Sequence, residues 1–412
     1  MRIRKGFGKS KRKRLTSARF RNHRHRGISV TILFPCRNES ASIVACVAEA
    51  KRILKKIPVS SEVLVVDNNS SDGSGGMAKK AGARLVNCEV RGYGAALACG
   101  ISAARGRYVF MLDADGSYDP GSLPDFLDRL VDGDELVVGN RFLGGIERGA
   151  MPWINRYLGN PVLSFLGRGM FGLKIGDFHC GIRAFQRKAL LGLNLQSQGM
   201  EYASEMIVRG GLAGLRIGEV PVVLRRDRRG GPSHLRPWRD GWRHLRFLLL
   251  FSPRWLFLGP GLGMALITLA MGSYGWREPN EGWQEIILLV CCNTFIASYQ
   301  FVLFGAMTQV FGVETGFLPT PRGYDRLFRF INLERGIFAG CGFVGVGLCL
   351  LFHSVTSNEV VRIISWSAAL AGTLLVSLGL QTILASFMFS FLGMSYAGKT
   401  SSRKMVFKAD SP

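Results

Sequence analysis

After residue 250 the chain contains four long stretches with no Asp, Glu, Lys or Arg: Trp255–Trp276, Ile286–Val313, Gly336–Asn358 and Ile363–Gly398. Each meets or exceeds the ~20 residues that cross a bilayer as a helix. Backbone polar groups inside lipid must be satisfied within the segment, so helices are the form these stretches can take. They predict an all-α, four-helix transmembrane domain over residues 253–398. The connecting segments set an orientation. One basic residue lies in Arg277–Glu285 and one in Glu359–Arg362. Four lie in Glu314–Arg335 (Arg322, Arg326, Arg329 and Arg335) and four in the basic tail 399–412 (Lys399, Arg403, Lys404 and Lys408). The positive-inside rule then puts both termini and residues 1–250 in the cytoplasm. The expectation is a multi-pass protein of the inner or plasma membrane.

The other end is charged. Net charge over the 412 residues is +24, and twelve Lys/Arg with no Asp or Glu fall in the first 26 residues. Residues 1–27 read as a disordered basic tail. Such a tail is either simply solvated or held by anionic lipid headgroups. No aromatic interleaving beyond Phe7 and Phe20 and no nucleic-acid fold signature accompany it, which argues against nucleic acid as partner. An apolar segment of secretory type does not follow it. The nine cysteines contain no C-x-x-C, and the expectation is reduced thiols in a cytoplasmic compartment.

Residues 28–237 have a third character. Strand-length apolar runs (Ile28–Pro35, Glu62–Asp67, Arg84–Asn87, Arg107–Asp113 and Glu135–Val138) alternate with helical patterns at Ser40–Lys56, Gly73–Ala81, Gly94–Ala104 and Gly121–Val131. Alternation of this kind predicts an α/β domain with a mostly parallel sheet. Ligands of such sheets bind at the carboxyl ends of strands, where Asn38, Asp67 and Asp113 fall. Residues 238–252 follow. In Trp238–Phe251, Trp, Leu and Phe can share one face and Arg another. The segment reads either as an amphipathic juxtamembrane helix lying on the bilayer or as the plain flank of the first span.

Three strand ends carry chemistry. Asp113-Ala114-Asp115 closes an apolar strand with two carboxylates one residue apart, a pattern that can hold Mg2+ or Mn2+ against a diphosphate. Asp67, after Val65-Val66, can accept hydrogen bonds from a ribose or a base, while Asp72 is expected to cap the next helix. Pro35-Cys36-Arg37-Asn38-Glu39 ends the first strand where backbone can flank a nucleobase, and Asn38 suits an N-cap equally well. The glycines of Arg91-Gly92-Tyr93-Gly94 are read as close packing of helix on sheet rather than as a phosphate loop.

With these motifs in order the chain resembles the family-two glycosyltransferases of GT-A fold. Further segments narrow the resemblance to the polyprenyl-phosphate glycosyltransferases, the dolichol-phosphate mannose and glucose synthases and their bacterial relatives. They are Gly139-Asn140-Arg141-Phe142, Asn155–Asn160, Asp177-Phe178-His179-Cys180-Gly181-Ile182-Arg183, Glu219–Val222 and Arg228–His234. The resemblance covers about residues 28–250 and rests on motif order. It implies Asp113 and Asp115 at a metal diphosphate, with Asp115 the direct ligand. It implies Pro35, Asn38, Glu39 and Asp67 around the nucleoside. It also implies Arg141, Arg156 and Arg228 as phosphate-holding catalytic residues, the last two with Ser233 and His234 on the acceptor phosphate. Arg suits this role as a permanently charged planar fork. Three positions depart from the mannose synthases: Ser117 where a Gln helps hold the metal, His234 for a Lys, and Arg37 for a Tyr. They leave open the sugar and the nucleotide.

The implied reaction is metal-dependent, inverting transfer of mannose or glucose from a nucleotide-diphosphate sugar (GDP-mannose or UDP-glucose) to dolichyl or undecaprenyl phosphate, in cell-envelope glycosylation. A phosphate dianion is already a nucleophile at neutral pH, so no general base is needed. Two other readings stay open. A processive polysaccharide synthase also joins this fold to membrane helices but carries Q-x-x-R-W, which is missing here. A non-catalytic membrane scaffold with a nucleotide-binding domain would have no need of Asp115 or Arg141. Homo-oligomerisation is open as well.

Overall fold

The computed structural model describes residues 29–57, 59–228, 237–275, 281–320, 333–356 and 362–409. The basic N-terminal tail, Ser233 and His234 lie outside these residues. The chain forms two units, Met1–Leu248 and Leu249–Pro412.

In the first unit β1 (Ser29–Cys36), β2 (Ser60–Asp67), β3 (Arg84–Asn87) and β4 (Tyr108–Met111) are parallel, in spatial order β3-β2-β1-β4. The intervening helices are α1 (Ile43–Leu54), α2 (Ser74–Lys80) and α3 (Tyr93–Ala103). Their apolar spacing explains them: α1 buries Ile43, Cys46, Val47, Ala50 and Leu54, a single stripe at helical period. Strands β1 and β4 are buried on both faces, as their continuous apolar runs predict.

Beyond α4 (Leu123–Val131) come β5 (Leu136–Asn140), α5 (Arg141–Gly144), α6 (Asn160–Phe171), β6 (Arg183–Gln186), α7 (Arg187–Gly192), α8 (Tyr202–Leu212) and β7 (Ile217–Pro221). Strands β6 and β7 were not among the sequence expectations. Four residues of β6, preceded by a loop of mixed polar and apolar residues, give too little period to be seen. Strand β6 inserts antiparallel between β4 and β5, with Met111 opposite Arg183. Because it runs the other way, the loop entering it, residues 177–182, arrives at the same sheet edge where β4 delivers Asp113. The antiparallel insertion therefore builds the site.

One expectation is corrected. Cys88 and Cys99 form a disulfide between the segment after β3 and the middle of α3. Parallel β3 delivers Cys88 beside the helix that returns over it, so the chain path brings the two sulfurs together. The other seven cysteines are free.

Helix α9 (Pro237–Leu250) buries Asp240, His244, Phe247 and Leu248, one face at i, i+4, i+7 and i+8. Trp238 and Trp242 lie on the opposite side and are exposed, and Arg239, Arg243 and Arg246 occupy a flank. Trp238 and Trp242 thus point away from the domain, while Asp240, His244, Phe247 and Leu248 point in, so Trp and Phe do not share one face.

The second unit holds α10 (Gly259–Gly275), α11 (Glu281–Glu314), α12 (Leu333–Thr356) and α13 (Arg362–Ala409). Four segments are long and apolar enough to cross a membrane: Arg254–Tyr274, Trp283–Glu314, Leu333–Thr356 and Trp366–Leu392. These match the four uncharged stretches. The last helix runs to Ala409, past the end expected at Gly398, since no proline interrupts it. Antiparallel α12 and α13 touch through glycines spaced by seven. A Cβ at Gly340 would stand 2.7 Å from the Gly379 carbonyl oxygen, and one at Gly347 2.7 Å from that of Gly372. Small residues let the backbones approach where lipid offers no hydrophobic drive.

Candidate active site

The centre of the site is the turn after β4. Leu112 still bonds to Leu33 of β1, and the chain then leaves the sheet. Asp113 Oδ1 accepts a 3.0 Å hydrogen bond from the Tyr93 hydroxyl at the start of α3. Burial first, and the Asp113 charge next, raise the Tyr93 pKa well above its ordinary value, so the phenol is a fixed donor. Gly181 presses on the same carboxylate; a Cβ there would meet Asp113 Oδ2 and stand 3.0 Å from its Cγ. The Gly181 amide donates to the hydroxyl of buried Tyr118, at 3.2 Å.

Asp115 is placed by its own loop. Its Oδ1 accepts from the Ser117 amide at 2.9 Å, and its carbonyl accepts from the Arg228 amide at 2.9 Å. Arg225 N donates to Ser117 O at 2.9 Å, and its guanidinium reaches Asp119 at 2.7 Å. Residues 225–228 therefore run along 115–119 in hydrogen-bonded register. Gly116 has φ +77°, a left-handed conformation that suits glycine, and the Arg228 side chain lies against it. The Arg228 guanidinium makes a partly exposed ion pair with Glu49 at 3.0 Å.

Arg141 is buried and spends its fork on Asp177, with Nε and Nη2 both 2.7 Å from the carboxylate. The resemblance implies Arg141 at a phosphate; in the structure its guanidinium binds Asp177 of the 177–182 loop. Arg156 lies on the helical turn before α6, with its guanidinium 5.5 Å from the centre of the Tyr157 ring.

The other strand ends converge on one loop cluster. Cys36 is the register partner of Asp67, and Pro35 of Val66. Asn38, at φ 55°, is not an N-cap: its Oδ1 accepts from Ser71 N at 2.8 Å and its amide donates to Ser70 Oγ at 3.0 Å. Glu39 is buried, its amide donating to Ser74 Oγ at 2.8 Å. Asp72 ties Ser40 N to Ser74 N, at 2.9 and 3.0 Å. Burial opposes its charge, but the hydrogen bonds led by Ser74 hold its pKa down at about 2. Asp67 Oδ1 is shut off from solvent and has no hydrogen-bond partner among the described residues. A buried carboxylate oxygen left orphaned costs stability unless a ligand completes it.

Four residues given no role from the sequence matter here: Tyr93, Asn68, Asp177 and Gly181. Asn68 donates to Cys88 O and Val90 O (3.2 and 2.7 Å) and accepts from Gly92 N at 2.8 Å, fixing the loop that presents Tyr93. The glycine spacing around Tyr93 was the available signal. A Cβ at Gly94 would collide with the Ser197 carbonyl and with Tyr202, so this glycine makes room for the loop before α8 and for α8 itself, not for the sheet as expected.

Two acidic side chains on one turn, at the carboxyl edge of a mostly parallel sheet with an antiparallel insertion, mark a GT-A-like fold. The chain belongs to glycosyltransferase family 2: residues 31–192 match the model "Glycosyl transferase family 2", and residues 306–393 match "Glycosyltransferase family 2 C-terminal transmembrane region". It is a glycosyltransferase with an integral membrane domain. It is 32% identical over 375 residues to the low-salt glycan biosynthesis hexosyltransferase Agl6 of Haloferax volcanii, covering 89% of each chain. It is 32% identical over 204 residues to the dolichyl-phosphate hexose transferase of the same organism, covering 50% of this chain and 85% of that one. Among solved structures, glucosyl-3-phosphoglycerate synthase from Mycobacterium tuberculosis, in complex with Mn2+, UDP and glucosyl-3-phosphoglycerate, is 22% identical with TM-score 0.43, covering 55% of this chain and 78% of that one.

Proposed function

We propose that this glycosyltransferase moves a hexose, mannose or glucose, from a nucleotide-diphosphate sugar to a polyprenyl phosphate at the cytoplasmic face of the membrane, inverting the anomeric carbon. The observation that carries the reading is the register between 225–228 and 115–119. It lays a basic segment, eight residues before the juxtamembrane helix, against the acidic turn. A donor diphosphate at the turn and an acceptor phosphate arriving from the lipid side would then share one pocket.

Asp67, Glu39, Asn38 and Pro35 would receive the nucleoside; the orphaned Asp67 oxygen suits a ribose or base donor. Asp113 and Asp115 fit Mg2+ or Mn2+. Their hard oxygen donors come from one turn, and small divalent ions take one or two carboxylates and leave the remaining positions to phosphate and water. When bound, the cation would neutralise charge building on the departing diphosphate. Arg228, with Ser233 and His234 beyond it, would hold the acceptor phosphate, and Arg156 would meet it on the side where Trp153, Tyr157, Leu158 and Phe165 are exposed. The acceptor phosphate oxygen attacks the anomeric carbon in line, the bond to the nucleoside diphosphate breaks, and no protein base is required. The outward face of α9, Trp238 and Trp242 flanked by arginines, suits the lipid headgroup boundary. Similarity to the dolichyl-phosphate hexose transferase of Haloferax volcanii supports this acceptor class.

The test uses the purified full-length protein in lipid nanodiscs, given polyprenyl phosphate and radiolabelled UDP-glucose or GDP-mannose, with Mg2+ or with chelator. Label is expected in the organic phase with one of these donors and only when divalent cation is present. Absence of lipid-linked label from every nucleotide sugar tried would reject the reading.

A further inference from the structure

His179 sits in the loop that walls the Asp113 pocket, two residues after Asp177 and two before Gly181. That loop is held from several sides. Asp177 binds Arg141, and the Phe178 amide donates to Ser164 Oγ at 3.2 Å. Fully buried Arg183 donates to the carbonyls of Phe178 and Cys180 at 2.9 and 3.0 Å, and to that of Ala203. A further contact is different in kind. The His179 ring meets the His244 ring of α9 edge to face, centroids 4.4 Å apart and planes at 78°. His244 is buried and its Nδ1 is 2.8 Å from Ser204 Oγ of α8.

Neither ring nitrogen of His179 has a hydrogen-bond partner among the described residues, and both are closed to solvent. Burying an imidazole this way costs free energy. What the ring gains is its packing on His244. Helix α9 is the last element before the first span, and its buried face is the one that carries His244. We propose that His179 is a positioning residue: through His244 and Ser204 it seats the juxtamembrane helix against the loop bearing Asp177 and Gly181, so that the seating of this helix sets the wall of the Asp113 pocket. The contact needs both rings neutral, and the surroundings provide for that. Burial, the facing His244, Arg141 and Arg183 push the His179 pKa well below its ordinary value. Burial pushes His244 down to about 4, against Asp240 and with Arg183.

The consequence for lipid transfer rests on the proposed function, but the structural claim does not. The full-length protein in nanodiscs, as wild type, His244→Ala, His244→Phe and Ser204→Ala, is therefore read in two ways. In hydrogen–deuterium exchange, His244→Ala is expected to speed exchange of residues 177–182 by about 10-fold while Val63–Val66 of β2 stay as in wild type. His244→Phe, which retains a ring, is expected to restore most of the protection, and Ser204→Ala to have a smaller effect in the same direction. In transfer assays, kcat of His244→Ala is expected to fall about 10-fold with the nucleotide-sugar KM within about twofold of wild type, because the loop rather than the nucleoside site is displaced. Unchanged exchange in 177–182, equal acceleration throughout the sheet, or His244→Phe as damaging as His244→Ala would each overturn the proposal. If wild type itself makes no lipid-linked sugar, the function falls while the exchange data still decide the role of His179.

Discussion

The Tyr93 hydroxyl donates to Asp113 Oδ1 at 3.0 Å, from the first turn of α3 to the turn after β4. The bond fixes the rotamer of a carboxylate that would otherwise be free to turn on its short side chain. Tyr93→Phe removes it without opening a cavity. The expected result is a drop of about 10-fold in kcat/KM and a weaker dependence of fluorescence on added Mn2+, with thermal stability close to wild type. A variant with unaltered Mn2+ titration and rate would show that Asp113 needs no such support.

Gly181 meets the same carboxylate from the other side. Its Cβ in Gly181→Ala would collide with Asp113 and stand 3.2 Å from Tyr118 Cε2, so Asp113 must rotate away. Transfer is expected to fall by more than about 10-fold, as a displacement near 1 Å does at a reacting centre. The measurement is single-turnover transfer alongside circular dichroism. Full activity in a folded Gly181→Ala protein would argue that Asp113 lies outside the reaction.

Arg141 and Asp177 form a buried bidentate pair. Removing either partner strands a charge in the interior, at about 3–5 kcal/mol. Arg141→Ala and Asp177→Ala are each expected to lower the unfolding midpoint by several degrees, and the double variant less than the sum of the two. Additive losses would show that the two side chains act independently.

How much of this was legible before the structure varies by element. Four membrane helices were plain from uncharged length, because lipid imposes length and apolarity on every span. Strands β1 to β5 were plain from apolar runs between turn residues. Strands β6 and β7 were not, since four or five residues carry little period. The acidic turn and Asp67 could be named because strand ends are where such sheets bind ligands. The partner of Arg141 could not: Asp177 lies 36 positions away, and only the antiparallel insertion of β6 brings it there. Tyr93 was hidden between two glycines that were read as packing on the sheet but pack on the 197–198 loop and α8. His179 and His244 are 65 positions apart, and nothing in the sequence pairs them.

The histidine pair gives a pH signature. For His244 the folded pKa is about 4 against an ordinary 6.5. As pH falls through that window the unfolded chain takes up a proton that the folded chain refuses, so stability falls. His179 acts in the same direction, with Arg141 and Arg183 opposing protonation and Asp240 favouring it at His244. The unfolding midpoint, followed from pH 8 to 4, is expected to decline less steeply in His244→Phe than in wild type. Parallel curves would mean that His244 takes its proton in the folded state.

The central claim is that the acidic turn serves transfer of sugar to a lipid phosphate. Wild type and Asp115→Ala, both purified full length in nanodiscs with polyprenyl phosphate, labelled nucleotide sugar and Mg2+, give the most direct measurement: the rate at which label enters the organic phase. The account predicts lipid-linked sugar from wild type, and at least about a 100-fold slower rate from a folded, membrane-inserted Asp115→Ala. Wild-type transfer by that variant would contradict it.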